Sequence, residues 1–268
     1  MPNLDGQVIL VTGSTQGVGE AIAIESARLG AAAVVVCGRN AENGRKVVSD
    51  IEAIGSQSLF VEADLADVQA TRAIVAECDE RFGRIDGLVN AAAMTSRGTL
   101  ASTSVELWDY LFAVNARAPF LLTQDTAAIM QREKISGSIV NIISVAAYCG
   151  LPHIAAYSAT KGALATFTKN CASSLMPDTI RVNGIMLGWT DTPNENVVQK
   201  EQGSPDNWLE IGENESPFGR LLKPQDVAHL ACFLLSSDSG VMTGSLIDQS
   251  QRIVGTLSMP AGIRSDDV

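Results

Sequence analysis

Aromatic residues make up only 5% of this 268-residue chain, and histidine occurs twice. Neither His153 nor His229 sits in a ligand-spaced motif, so no metal centre is expected. Cysteine is sparse as well: Cys37, Cys78, Cys149, Cys171 and Cys232 are scattered, with no CxxC pair. That spacing argues against a zinc site and a disulfide framework, and leaves buried or half-buried free thiols. Basic residues are outnumbered, 19 Lys and Arg against 30 Asp and Glu, for a net charge of −11. Because the basic residues are also dispersed, a nucleic-acid partner is not expected. No run approaches the roughly 18 to 20 apolar residues of a membrane span. The opening MPNLDGQVILVTG lacks the basic-then-apolar plan of a signal peptide, so the expected location is cytoplasmic, away from any membrane.

What the chain does have is 46% hydrophobic residues, enough for one large core, and one domain spanning 1–268 is expected. Short β-branched runs at 8–13, 32–37, 58–64, 87–91, 137–144, 180–186 and 244–248 read as seven strands. Near-continuous apolar strands imply burial on both faces, and strands alternating with helices imply right-handed parallel crossovers. Helical periodicity marks Gly17–Leu29, Glu42–Ile54, Val68–Phe82, Val105–Gln131, Tyr157–Met176 and Pro224–Leu235. The expected fold is a single-domain, doubly wound, Rossmann-type α/β structure, its seven-stranded parallel sheet flanked by helices on both faces. A polar stretch at about 188–218 reads as a mobile substrate lid, and about 251–268 as a C-terminal tail.

The first strand runs into Thr12-Gly13-Ser14-Thr15-Gln16-Gly17-Val18-Gly19 and then a helical pattern. Glycines there permit a tight turn and close approach of a pyrophosphate, and free N–H groups at a helix start attract the anion. A merely tight turn is the bland reading, and the strand–glycine–helix context argues against it. The GxxxGxG spacing resembles the TGxxxGxG pattern of the classical short-chain dehydrogenases/reductases, and the resemblance spans about residues 5 to 250. It implies that Gly13, Ser14, Gln16, Gly17, Val18 and Gly19 hold a nicotinamide dinucleotide, and that Asp64, at the end of the third strand, and Leu65 border the adenine. At the end of the second strand Gly38 stands where NAD-type members carry Asp. Arg39 follows, with a guanidinium suited to a 2′-phosphate. A solvated or adenine-stacked Arg39 is the alternative. Gln16 brings no charge to a loop position where NADP-preferring relatives carry Lys or Arg. The expectation is NADP(H), with NAD(H) also used.

Tyr157 and Lys161 lie four apart at a helix start and share a face. A free tyrosine titrates near 10, and a nearby ammonium would favour its phenolate, making Tyr157 a tunable acid/base. Chance accounts for many such pairs, and a helical tyrosine commonly packs into a core. Ser144, thirteen residues before Tyr157 as in the family, strengthens the reading: its hydroxyl can donate to a substrate oxygen. Asn115 is ill-suited to the middle of an apolar helix. The resemblance places it at a backbone break and in a proton relay, completing a tetrad of Asn115, Ser144, Tyr157 and Lys161.

The family's Asn-Asn-Ala-Gly after the fourth strand appears here as Asn90-Ala91-Ala92-Ala93, and its Pro-Gly after the sixth as Leu187-Gly188. By the resemblance Asn90, Gly188, Thr190 and Thr192, along with Tyr157 and Lys161, are cofactor contacts. Ser144, Ala146, His153, Tyr157 and Trp189 face the substrate. The implied activity is hydride exchange between nicotinamide and a secondary alcohol or ketone, with a sugar, polyol or sugar acid favoured by the polar lid. A homotetramer is implied too. The rival from another class is a catalytically silent nucleotide-binding sensor, which would have no need of the acid/base set.

Overall fold

The computed structural model describes residues 2–148 and 151–251. The seven strands are β1 (Val8–Thr12), β2 (Ala33–Gly38), β3 (Gln57–Glu62), β4 (Gly87–Asn90), β5 (Ser138–Ile142), β6 (Arg181–Leu187) and β7 (Leu246–Gln249). They form the one parallel sheet that the apolar runs predict, and its strand order is β3-β2-β1-β4-β5-β6-β7. Cys149 and the tail beyond 251 lie outside the described residues.

Alternate side chains of each central strand enter different cores, because successive Cβ atoms point to opposite faces. On one face Leu10, Val35 and Leu88 pack with Ile74 and Cys78 of α3 (Val68–Phe82). Leu122 and Met130 of α5 (Ala118–Arg132) close the same layer. On the other, Ile9, Val11 and Val34 meet Ile22 of α1 (Gly17–Arg28), Ile51 of α2 (Ala41–Ile54) and Val227 of α9 (Pro224–Leu235). Helix boundaries follow local chemistry. Asn40 caps α2 by accepting from Asn43 N at 2.9 Å, and Asp67 caps α3 by accepting from Ala70 N at 2.7 Å.

Two segments differ from their sequence expectation. The long helix expected over 105–131 divides into α4 (Val105–Phe112) and α5, joined by one wider π turn over Ala113–Arg117 that contains Asn115. The stretch 188–218 is not a plain loop: it carries α7 (Pro193–Glu201) and α8 (Trp208–Asn214). Thr192 caps α7 by accepting from Glu195 N at 3.1 Å, with Pro193 at the first helical position, so the start signals were in the sequence. Helices of nine and seven residues are too short to show periodicity in an 11-residue window.

The strand order reverses between β1 and β4, and the loops leaving their C-terminal ends part there to open a crevice. Thr12 ties the two loops together, its Oγ1 accepting from Ala91 N at 3.1 Å and Ala92 N at 3.2 Å.

Candidate active site

The crevice widens into a cleft of about 770 Å³, within the range of pockets that take a cofactor and a small molecule. One half is walled by the glycine loop, Gly38, Arg39, Asp64 and Leu65, and the other by Tyr157, Arg97, Asn194 and Val198. No helix among the described residues is long and apolar enough to cross a membrane, and none of their side chains form a metal-ligating cluster.

Two glycines of the loop, Gly13 and Gly19, have no room for a side chain. Gly13 and Gly17 have φ of 64° and 62°, which favours glycine. A Cβ on Gly13 would lie 2.6 Å from Ala92 Cα, and one on Gly19 would lie 2.4 Å from Gly13 O. Gln16, the residue before α1, gives no side-chain cap, so the N–H groups of the first turn stay available to a ligand. Such a cradle fits a pyrophosphate. Ser14 is turned the other way: its Oγ donates to Val11 O at 2.6 Å and accepts from Cys37 N at 3.0 Å, holding β1 to β2.

At the adenosine end Arg39 is exposed on the cleft wall and reaches Tyr110 Oη at 3.2 Å and Met94 Sδ at 3.7 Å. Gly38 lies beneath Thr15, and an added Cβ would stand 2.7 Å from its Cγ2 and 2.9 Å from its Oγ1. Asp64 accepts from Ala66 N at 2.9 Å, which fixes the turn after β3.

Tyr157 and Lys161 are on α6 (Ala155–Leu175), and both line the cleft. Burial raises the Tyr157 phenol above its ordinary value. A hydrogen bond from Ser144 and the charge of Arg97 pull it down, and Glu195 pushes it up again. Lys161 is 2% exposed, and desolvation brings its ammonium from 10.5 to about 8. Its Nζ donates to Ile142 O at 2.8 Å and lies 5.7 Å from the centre of the Tyr157 ring. The group expected to tune the phenol thus bonds to a strand carbonyl here, and Ser144 and Arg97 supply the lowering. Ser144 follows β5, and its Oγ also accepts from Ala146 N at 3.1 Å.

Asn115 is fully buried in the π turn. Its Nδ2 donates to Met94 O at 2.9 Å and Thr160 Oγ1 at 3.1 Å, while its Oδ1 accepts from Met94 N at 2.8 Å. Those are the partners that an amide in an apolar helix requires.

Several residues singled out from the sequence lie off the cleft wall. Asn90 points into the interior, donating to Asn141 Oδ1 at 2.8 Å, and its own Oδ1 is buried without a partner. Thr190 is buried and donates to Gly188 O at 3.1 Å, whereas Thr192 lines the cleft. Gly188 packs beneath Ser250, whose Cα would lie 2.6 Å from an added Cβ. Trp189 donates to Glu195 Oε1 at 2.9 Å and stands 5.9 Å from Trp208. His153 is exposed, and its carbonyl accepts from Gly98 N at 2.9 Å. Sequence reasoning passed over Arg97 and Glu195. The available signal is a lone arginine among small polar residues, Thr95-Ser96-Arg97-Gly98, in the loop that follows β4.

Residues 13–249 match the family model described as enoyl-(acyl carrier protein) reductase. Among similar proteins, cyclopentanol dehydrogenase of Comamonas sp. is 34% identical over 91% of this chain and 96% of its own. L-Rhamnose 1-dehydrogenase (NAD(P)(+)) of Sphingomonas sp. is 30% identical over 92% and 96%. The crystal structure of L-sorbose reductase from Gluconobacter frateurii, complexed with NADPH and L-sorbose, superposes with a TM-score of 0.90 at 28% identity, covering 96% of this chain and 99% of that one.

Proposed function

The chain belongs to the classical short-chain dehydrogenase/reductase family of NAD(P)-dependent oxidoreductases, and on that premise we propose that it moves hydride between NADP(H) and a small secondary alcohol or its ketone. The observation that carries this reading is that Tyr157 and Lys161 line one end of a cleft whose other end is the glycine cradle, with Ser144 acting to lower the Tyr157 phenol. Gly13, Gln16, Gly17, Val18 and Gly19 hold the diphosphate, Asp64 and Leu65 border the adenine, and Lys161 and Thr192 serve the nicotinamide end. The bound dinucleotide supplies the hydride acceptor for oxidation, or the donor for reduction.

The protein's part is to orient the substrate oxygen and to handle its proton. In oxidation the Tyr157 phenolate takes the hydroxyl proton as the C–H bond gives up hydride, and in reduction the neutral phenol returns it. Ser144 donates to the substrate oxygen, which stabilises the charge that develops there. Lys161, held by Ile142 O beside the Tyr157 ring, leads the proton on toward solvent in this reading. Asn115 holds the loop after β4 in place. The buried phenol, its pKa raised by desolvation, makes alcohol oxidation favoured by alkaline conditions.

Arg39 is the 2′-phosphate ligand in this reading, because Gly38 offers no carboxylate to repel it. The Sphingomonas relative's name carries both cofactors and the sorbose reductase holds NADPH, which supports NADP(H) with some use of NAD(H). Relatives acting on cyclopentanol, rhamnose and sorbose support a polyol, sugar or cyclic-alcohol scale of substrate. Free buried thiols at Cys37, Cys78 and Cys232 fit a reducing, cytoplasmic setting.

Outward-facing Val105, Trp108 and Phe120 on α4 and α5, 71%, 41% and 44% exposed, support a symmetric homo-oligomer, a tetramer in this reading. Sedimentation at micromolar concentration reads it directly, and a stable monomer overturns it. The activity is tested by absorbance at 340 nm with both cofactors against a panel of secondary alcohols, polyols and ketones. Cofactor-dependent change with at least one of them is expected. Tight dinucleotide binding without turnover across the panel would favour a sensor.

A further inference from the structure

Next to Tyr157 the cleft wall carries a cation that the acid/base set leaves unused. Arg97 follows β4, with a side chain 28% exposed. Its guanidinium makes no hydrogen bond within the described residues, and its Nε is buried without a partner. The nearest counter-charge, Glu195 Oε1, is 3.9 Å from Nη2, beyond hydrogen-bonding range. Glu195 does not depend on that contact, since its Oε1 accepts from Trp189 Nε1 at 2.9 Å and from Gln199 Nε2 at 2.8 Å. α7 therefore holds its own carboxylate, and Arg97 donates no hydrogen bond among the described residues. Unpaired donors in a recess are costly unless a ligand meets them, and the planar fork of arginine matches a carboxylate with two parallel bonds.

We propose that Arg97 receives a carboxylate of the substrate, so that the alcohol oxidised is a hydroxy acid and the ketone reduced is an oxo acid. The assignment rests on the hydride-transfer reading above. The carboxylate is unchanged in the reaction: the carbinol C–H bond breaks with its electron pair going to NADP⁺, the O–H proton passes to Tyr157, and the products are oxo acid, NADPH and a proton. A single negative charge suits the site better than a phosphate dianion, because Glu195 stands beside Arg97 and Glu201 also lines the cleft. Val198 and Ile143 on the same wall offer apolar surface to a short carbon chain. Arg97 and Tyr157 line the same cleft, and the charge of Arg97 lowers the Tyr157 phenol.

The test uses matched pairs: 3-hydroxybutyrate against its methyl ester, and gluconate against sorbitol. Wild type is expected to show kcat/KM at least tenfold higher for the acid in at least one pair. In Arg97→Met the ratio should collapse toward unity, mainly through KM of the acid, and Arg97→Lys should restore part of it. Calorimetric titration of the same two acids into the NADP⁺-loaded protein reads binding independently of turnover. Arg97-dependent acid binding without any change at 340 nm would uphold the carboxylate site and sink the hydride-transfer reading. Three results overturn the carboxylate site: wild type favouring neither acid, the Met variant harming acid and neutral partner equally, or acids binding both proteins alike. The second of these would make Arg97 a latch between the β4 loop and α7.

Discussion

Asn115 binds Met94 as one peptide unit binds another. Its side-chain amide accepts from Met94 N at 2.8 Å and donates to Met94 O at 2.9 Å, fastening the loop after β4 to the π turn. The same loop carries Ala91 to Arg97 along the cleft. Replacing Asn115 with Leu strands both Met94 groups, at a cost of about 1 to 3 kcal/mol for each that stays buried, while Thr160 Oγ1 still donates to Tyr157 O at 2.7 Å. Asn115→Leu should melt several degrees lower and lose at least tenfold in kcat/KM, whereas Thr160→Val, which removes one of the three Asn115 bonds and the Thr160 bond to Tyr157 O, should do less. Equal melting and activity in the two variants would show that the loop is held by something else.

Lys161 is the clearest case of function at the expense of stability. Its pKa falls from 10.5 to about 8 on folding, so the unfolded chain binds more protons between those values and stability rises with pH there. Below pH 8 the full penalty applies, on the order of 3 kcal/mol before the bond to Ile142 O is counted. Lys161→Met should therefore be at least as stable as wild type at pH 7, with any advantage fading toward pH 10, while turnover falls by two decades or more. Thermal melts at the two pH values check the sign. A variant distinctly less stable at pH 7 would mean that the bond to Ile142 outweighs the buried charge.

Arg39 now spans to Tyr110 and Met94 at the adenosine end. If it grips the 2′-phosphate, Arg39→Ala should weaken NADP(H) by about one to two decades, the scale of a charge-assisted bond, and leave NAD(H) nearly unchanged. Equal loss for both cofactors would make it an adenine-stacking residue. Gly38→Asp alone is a poor reverse test, since its Cβ would meet Thr15 Cγ2 at 2.7 Å. The pair Gly38→Asp with Thr15→Ala relieves that clash, leaving Thr15 Cβ at 3.4 Å, and should turn preference toward NAD(H).

Legibility from the sequence followed the length scale of each signal. The sheet was readable because each central strand, such as Val8–Thr12, is apolar on both faces and bounded by turn residues. The glycine loop was readable because its constraint is local: Gly13 and Gly19 abut backbone within a few residues or across one strand pair. Asn115 is ill-suited to the middle of an apolar helix, and the π turn is the physical answer. Asn90 and Thr190 could not be aimed from sequence, since their partners, Asn141 and Gly188 O, are set by strand register and the fold of the lid. The Arg97–Glu195 proximity joins residues 97 and 195 across the cleft, and no local pattern announces it.

The proton-transfer role of Tyr157 is the claim on which the rest depends, and one comparison tests it most directly. Wild type and Tyr157→Phe, which keeps the ring and removes only the hydroxyl, are followed at 340 nm with NADPH and the best ketone of the panel, alongside cofactor affinity by fluorescence. The expected result is a fall in kcat of at least about 10²-fold, the scale of lost general acid catalysis, with NADPH affinity changed little. Near-native turnover by the Phe variant would contradict the account and move the acid/base role elsewhere in the cleft.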